Sequence, residues 1–546
     1  MAAIDWHVRR QTLRRIRAEW GRPRRVARNM PLIAHYHRAE VAAAGGHGSL
    51  DDRTWDDLDM DAVFAAIDRT ESTIGQQRLY HRLRSGPIAV DREALESLVM
   101  RLAAQPALRE RAQAVLARIR DPWGYQLRWL GQPGSFQPRR WHVVFPIITV
   151  STTGALLLAA LWPRLLLVVP LVTVTNLLLR IATAERLGRA RLGSFREVAP
   201  LVNAGVTLAV FDEAACAPIT APLREDVRAL RRLRGYARWA TRDRTAAASG
   251  GFASLLLEYL NLLFLLDLTL LYFAAREIRT HGAGLLRVIA AVGDVDVAIS
   301  IASYRTGTPR WTRPHFLPAG SAAVLTDLRH PLVASAVPNS ITLGPPHGIL
   351  VTGSNMSGKT TFVRTLGVTT VLAQTINTCL ATAYEAPVLH VRSCIGRADD
   401  LLHGKSYYLV EVEAVMALVR LSRTVEPHLF LFDELFRGTN AVERIAAAEA
   451  VLLELGANQA HLVVAATHDG ELVDLLRHDY VPYHFTDSLG PRGLVFEYRL
   501  QAGPATTRNA ITLLKLHGAP DRMVARALAR AADLDRQRRL AGSGSA

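Results

Sequence analysis

At 546 residues, with 49% hydrophobic side chains, the chain has room for roughly three or four domains with sizeable cores. Its three cysteines, Cys216, Cys379 and Cys394, show no paired metal spacing, which argues against a disulfide framework and suits a reducing compartment. The formal net charge is +16, yet all but three of the 65 basic residues are Arg in an Ala-rich chain, a pattern a GC-rich genome produces, so charge alone does not argue for nucleic acid.

No cleavable signal peptide is expected, because residues 1–30 hold no apolar core region. Residues 8–28 carry nine arginines and read as a basic helix ending near Gly21-Arg22-Pro23. Such a helix either contacts phosphates of nucleic acid or anionic lipid, or is simply a solvated face. From Leu50 to about Arg120 the pattern is helical and amphipathic, with Trp55, Leu58, Met60, Val63, Phe64 and Ile67 on the apolar face. The stretch Ile67 to Gly75, leading into Leu79 and Leu83, reads as a helix–turn–helix.

Val143 to Trp162 is a run of 20 residues without a charge. As a helix it spans about 30 Å, the thickness of a bilayer core. After Pro163-Arg164 a second apolar run extends from Leu165 to Leu179, and to Ala182 if Arg180 snorkels. It is the weaker span, since it contains Pro170 and Asn176. Arg139 and Arg140 before the pair, and Arg180, Arg186, Arg189 and Arg191 after it, fall on one side of a hairpin, as the positive-inside rule requires. The expectation is a transmembrane helical hairpin. Phe252 to Ala275 is also apolar, but Glu258, Asn261 and Asp267 interrupt it, and a long helix in a soluble core is the better reading. Pro-rich residues 309–318 read as a linker.

Gly348 to Leu366 reads GILVTGSNMSGKTTFVRTL: an apolar strand, a loop G-x-x-x-x-G-K-T from Gly353 to Thr360, then a helical pattern. In that context the loop is a phosphate site. Gly353 and Gly358 let the backbone curl around phosphate oxygens, with Ser354, Asn355, Met356 and Ser357 between them and Thr361 just beyond. Lys359 would reach the β- and γ-phosphates of ATP, and the Thr360 hydroxyl would ligate Mg²⁺. Leu429 to Phe432 is a buried parallel strand ending in Asp433 and Glu434. Asp433 is placed to hold Mg²⁺ and Glu434 to act as general base for the attacking water. Ser406 caps a helix expected to run to about Arg423, and Leu462 to Thr467 is another parallel strand, tipped by His468.

Taken together these motifs resemble the MutS family. Ile67-Asp68-Arg69-Thr70 is similar to the start of that family's core domain. Asn261 and Asp267, followed by Val292 to Ala302, resemble its later core helix. Leu328-Arg329-His330-Pro331 and Asn339 resemble landmarks ahead of its phosphate loop, Phe436-Arg437-Gly438-Thr439 its turn after the acidic pair, and Ala502 to Ala527 its closing segment. The resemblance implies that His330 and Asn339 flank the nucleotide base and that His468 senses the γ-phosphate. It also implies that Ser406 reaches across a homodimer to the partner's nucleotide, giving composite ATP sites. Three departures stand out. Ser354 and Ser357 replace the family's usual Pro and Gly, Phe436 replaces a Gly, and there is no room for the mismatch-reading domains. Phe195-Arg196-Glu197 spells that family's mismatch wedge in the wrong place and reads as chance.

The expected fold is an α-helical core domain with an inserted transmembrane hairpin, followed by an α/β P-loop ATPase domain of the ABC type. The expected boundaries are a basic segment at 1–50, core at 51–134 and 191–320, hairpin at 135–190 and ATPase at 321–546. The resemblance implies a Mg²⁺-dependent ATPase related to DNA mismatch repair, with duplex DNA as a partner, sited at the cytoplasmic membrane with its ATPase domain in the cytoplasm. The alternative is a membrane-tethered mechanical ATPase acting on a protein or lipid partner.

Overall fold

The computed structural model describes residues 2–543 apart from 25, 44, 46–49, 87–91, 133, 135–139, 188, 212, 248–251, 345–347, 355, 397–406, 491–492, 505–510, 512–513 and 515–517. The chain divides into two compact units. Met1–His47, Phe64–Arg84 and Ile88–Pro309 form a helical unit; Gly48–Val63, Ser85–Pro87 and Arg310–Ala546 form a unit built on sheets.

The helical unit begins with the basic helix Ala2–Glu19, which stops before Gly21 in the left-handed region at φ +75°. Two of its arginines are engaged in ion pairs. Arg15 pairs with Glu71 at 2.7 Å, Arg17 with Glu110 at 2.8 Å, and just beyond the helix Arg28 pairs with Asp68 at 2.8 Å. Arg24 donates to the Thr70 carbonyl and also pairs with Glu71. The turn they surround joins the helices Met60–Ile67 and Thr73–Arg84, the helix–turn–helix expected there.

That turn is clasped by the long helix Leu266–Thr306, which bends at His281. The fully buried Asp296 carboxylate accepts from the Glu71 amide at 2.8 Å and from the Ser72 amide and hydroxyl at 2.8 and 2.6 Å. Ser300 Oγ accepts from the Arg69 amide and donates to the Ile67 carbonyl. A Cβ on Gly75 would lie 2.1 Å from Asp296 Oδ2, and one on Gly293 would lie 2.3 Å from Arg78 Cγ. Only glycine allows this approach, and around it Ile74, Leu79 and Leu83 pack in the same fully buried core as Val292, Val295 and Ile299.

The two expected membrane spans take a different form. The first run folds as the helix Val144–Leu158, 15 residues, with backbone turns at Ala159 and Leu161 ahead of Pro163. At 1.5 Å per residue it reaches about 22 Å, short of a bilayer core. An uncharged run set the expected length, whereas the helix stops where its backbone turns. Among the described residues one segment, Pro163–Ala182, with a mean hydropathy of 2.2, is long and apolar enough to cross. Most of it lies in the helix Val168–Leu187.

The third apolar run is also not one helix. Leu265, at φ +51°, separates the helix Phe252–Phe264 from the start of the long helix. The break is capped. Asn261 Oδ1 accepts from the Asp267 amide, and Asn176 Nδ2 donates to the carbonyls of Leu262 and Leu263.

The second unit holds two sheets among the described residues. A four-stranded sheet runs β1 (His315–Leu317), β5 (Ala383–Pro387), β2 (Ala323–Leu328), β3 (Asn339–Leu343). The larger sheet has the order β10 (Gly493–Ala502), β9 (Tyr480–Gly490), β4 (Gly348–Thr352), β8 (Leu462–Ala466), β7 (His428–Asp433), β6 (His390–Ile395). From β9 to β6 neighbouring strands are parallel, and β10 returns antiparallel. Strands β4, β7 and β8 are buried along their whole length, as continuous apolar runs in a sheet covered on both faces must be. The short helix Asp52–Asp57 covers the β6 edge: the Asp57 carboxylate accepts from Ser393 Oγ at 2.8 Å and the Ile395 amide at 2.9 Å.

Candidate nucleotide site

Strand register builds the site. Val351 on β4 lies opposite Ala466 on β8, which lies opposite Asp433 on β7. Two further bonds tie the ends: the Thr467 amide donates to the Val351 carbonyl at 2.9 Å, and the Glu434 amide to the Ala466 carbonyl at 2.8 Å. The glycine-rich loop after β4, the histidine after β8 and the acidic pair after β7 therefore emerge side by side at one edge. β8, between the other two, is the strand that carries His468.

In the loop, Gly353 and Gly358 adopt φ +141° and +111°. A side chain at Gly353 would also press the Phe485 carbonyl at 3.0 Å. Gly358 caps the helix Lys359–Ile376, whose N-terminus favours an anion. Met356 is exposed at φ +70°, and Thr361 is exposed in the first helical turn. Lys359 is buried and its ammonium donates to the carbonyls of Gly353 at 2.8 Å and Ser354 at 2.9 Å. Burial lowers its pKa, while Glu434 and Asp433 pull it back up. Thr360 Oγ1 donates to Asp433 Oδ2 at 2.6 Å. Burial raises the Asp433 pKa against that hydrogen bond, and the Glu434 charge raises it further.

Glu434 is held in the left-handed region at φ +52°. Its Oε2 lies 2.7 Å from Arg437 Nε and 3.4 Å from Nδ1 of the half-exposed His468. Lys359, Thr360, Asp433, Glu434 and His468 are thus brought together. Asn355 and Ser406 lie outside the described residues. Asn339 ties the start of β3 to β10, and His330 turns back on its own loop. Asn339 bonds the Leu500 amide and the Tyr498 carbonyl, and His330 Nδ1 accepts from the Leu332 amide.

Two features were missed. Arg437 pairs with Glu434 from three residues away, a contact that reading 436–439 as a turn did not by itself reveal. Ser354 Oγ, Ser357 Oγ and Asp433 Oδ1 are buried without a hydrogen-bond partner among the described residues. Native interiors rarely leave such atoms orphaned, so these residues fit a polyoxygen ligand with its cation. The chemistry agrees: a hydroxyl and a carboxylate suit Mg²⁺, and a buried ammonium at a helix N-terminus suits phosphate.

Comparison with known proteins bears on this same region. Residues 349–535 match the family model described as MutS domain V. The chain is 34% identical over 265 residues to the DNA mismatch repair protein MutS of Thermus thermophilus, covering 47% of this chain and 31% of that protein. It is 32% identical over 263 residues to the DNA mismatch repair protein MutS of Streptococcus equi, covering 46% and 30%. Against DNA mismatch repair protein MutS 2 of Halobacterium salinarum it is 31% identical over 267 residues, covering 47% and 30%. The chain therefore spans about a third of the length of these curated relatives.

Proposed function

We propose that this chain, whose C-terminal half belongs to the MutS family, binds Mg²⁺-ATP and hydrolyses it to ADP and phosphate. The observation that carries this reading is the register of β4, β8 and β7, which sets Lys359, His468 and Glu434 at one edge. Lys359 leaves the loop carbonyls for the phosphates. Thr360 and Asp433 would hold Mg²⁺, whose charge would offset that of the phosphate oxygens. Glu434 takes the proton of the attacking water, with His468 beside it. The test is Glu434→Gln in the full chain: ATP binding is retained and turnover falls at least 100-fold. Normal turnover would remove Glu434 as the base.

Two extensions rest on the resemblance to the MutS family, whose matched relatives are named DNA mismatch repair proteins. One is a homodimer with composite sites, Ser406 acting in trans. The other is duplex DNA as partner, tested by stimulation of the ATPase rate by DNA that fades as salt rises.

A second reading has its own observation. Leu171, Val174, Leu178 and Ile181 of the helix Val168–Leu187 are between 51% and 69% exposed. A mechanical ATPase tethered by this helix to the cytoplasmic membrane, its ATPase unit in the cytoplasm, would cover them with lipid. Release of the protein from membranes by alkaline carbonate would count against it.

A further inference from the structure

The helix Tyr407–Leu421 packs against the acidic strand through Val415, Leu418 and Val419, which join Phe430, Phe432, Leu435 and Phe436 in one buried cluster. Glu411 lies one turn before Val415 on the same face, so its carboxylate is carried into that cluster and is buried. A buried carboxylate needs donors, and Glu411 has one: the Phe436 amide donates to Oε1 at 2.6 Å, while Oε2 has no partner among the described residues.

The amide it holds belongs to an unusual turn. Glu434 and Phe436 are both non-glycine residues in the left-handed region, at φ +52° and +61°. L-residues disfavour that region, and a phenylalanine has no short polar side chain to compensate. Something must therefore hold the turn from outside. The same helix supplies it twice more. Tyr408 meets the Phe436 ring edge-on at 6.4 Å, and a Cβ on Gly438 would lie 3.1 Å from Tyr408 Cβ.

We propose that Glu411 is a positioning residue for hydrolysis: through the Phe436 amide it fixes the 434–438 turn and hence the place of the Glu434 carboxylate. This rests on the nucleotide reading above. Among the described residues Glu411 has no hydrogen bond to the glycine-rich loop or to Lys359, so its loss acts on turnover and leaves nucleotide binding intact.

The experiment is steady-state ATP hydrolysis with nucleotide affinity and thermal melting in parallel, on the full chain. Glu411→Leu keeps volume and removes the acceptor: kcat falls at least tenfold with KM for ATP within twofold. Glu411→Gln keeps an acceptor oxygen and stays within threefold of the unaltered kcat. Gly438→Ala crowds Tyr408 while leaving Glu411 in place, lowers kcat threefold or more at constant KM, and decides the matter should Glu411→Leu not fold. Unaltered kcat in Glu411→Leu and Gly438→Ala, or a KM that rises as kcat falls, would overturn the proposal. An unaltered chain that neither binds nor hydrolyses ATP would instead refute the nucleotide reading.

Discussion

Asp296 in the helical unit and Asp433 in the sheet unit are both buried aspartates, 0% and 5% exposed, and they are used in opposite ways. Both oxygens of Asp296 accept, from the amides of Glu71 and Ser72 and the Ser72 hydroxyl. Asp433 has one oxygen on Thr360 Oγ1 and the other with no hydrogen-bond partner among the described residues. A saturated carboxylate fixes backbone, because every acceptor site already has a donor. An unsaturated one beside a buried lysine keeps an acceptor free for the cation that the proposed function requires.

The largest effect expected from this contrast is on stability. Asp296→Ala strands two amides and a hydroxyl, each worth about 1–3 kcal/mol when orphaned, so it should destabilise the helical unit by roughly 3–9 kcal/mol in urea unfolding. A loss below about 1 kcal/mol would break the comparison. Asp433→Asn should move stability by less than about 0.5 kcal/mol, since Asn can still accept from Thr360, while lowering Mg²⁺-dependent hydrolysis at least 100-fold. A large drop in its melting temperature would make Asp433 structural as well.

Much of this site was legible because it is local. Gly348 to Thr360 and Leu429 to Glu434 each carry strand, turn and chemistry in a few consecutive residues. What brings them together was not legible: β8 lies between β4 and β7, and β4 pairs with a strand more than 100 residues away, which leaves no mark on either segment. The Glu411–Phe436 bond was hidden for the same reason. The helical unit shows the opposite error. Asn261 and Asp267 read as blemishes in one long helix, whereas they cap a break at Leu265. Apolar length likewise measured the uncharged run and not the helix Val144–Leu158.

A smaller effect sharpens the comparison through pH. Burial, with His461, His390 and Arg392 nearby, holds His428 down at about 4 in the sheet unit, and burial, with Arg78 and His37, holds His81 at about 3 in the helical unit. Unfolded, each titrates near 6.5 and binds more protons than the folded chain below that value. Their contribution is therefore complete above about 6.5 and is lost as pH falls from there toward 4. Asp296, pushed up to about 7 by burial, works the other way in this window, so the signal is a difference: between pH 7 and pH 5 the urea midpoint of the unaltered chain should lose ground relative to that of His428→Phe. An identical pH dependence in the two would show that the His428 imidazole is not kept neutral.

The smallest expected effect concerns an orphan. Ser357→Ala removes a buried hydroxyl that has no partner among the described residues, so stability should hold or rise slightly while ATP affinity weakens a few-fold, read by nucleotide titration. Unchanged affinity would leave that hydroxyl without a role.

The clasp on Asp296 also has a consequence in time. Its partners Glu71 and Asp296 are 225 residues apart. At a synthesis rate of roughly 5–20 residues per second, about ten to forty-five seconds pass between the emergence of one half and the other. Throughout that interval the amides of the 68–72 turn have no carboxylate to receive them, and from about halfway through it the apolar segment Pro163–Ala182 is outside the ribosome as well. The nascent chain thus presents its most hydrophobic stretch before the scaffold that carries it can close, and whatever first meets that stretch does so while the helical unit is still open.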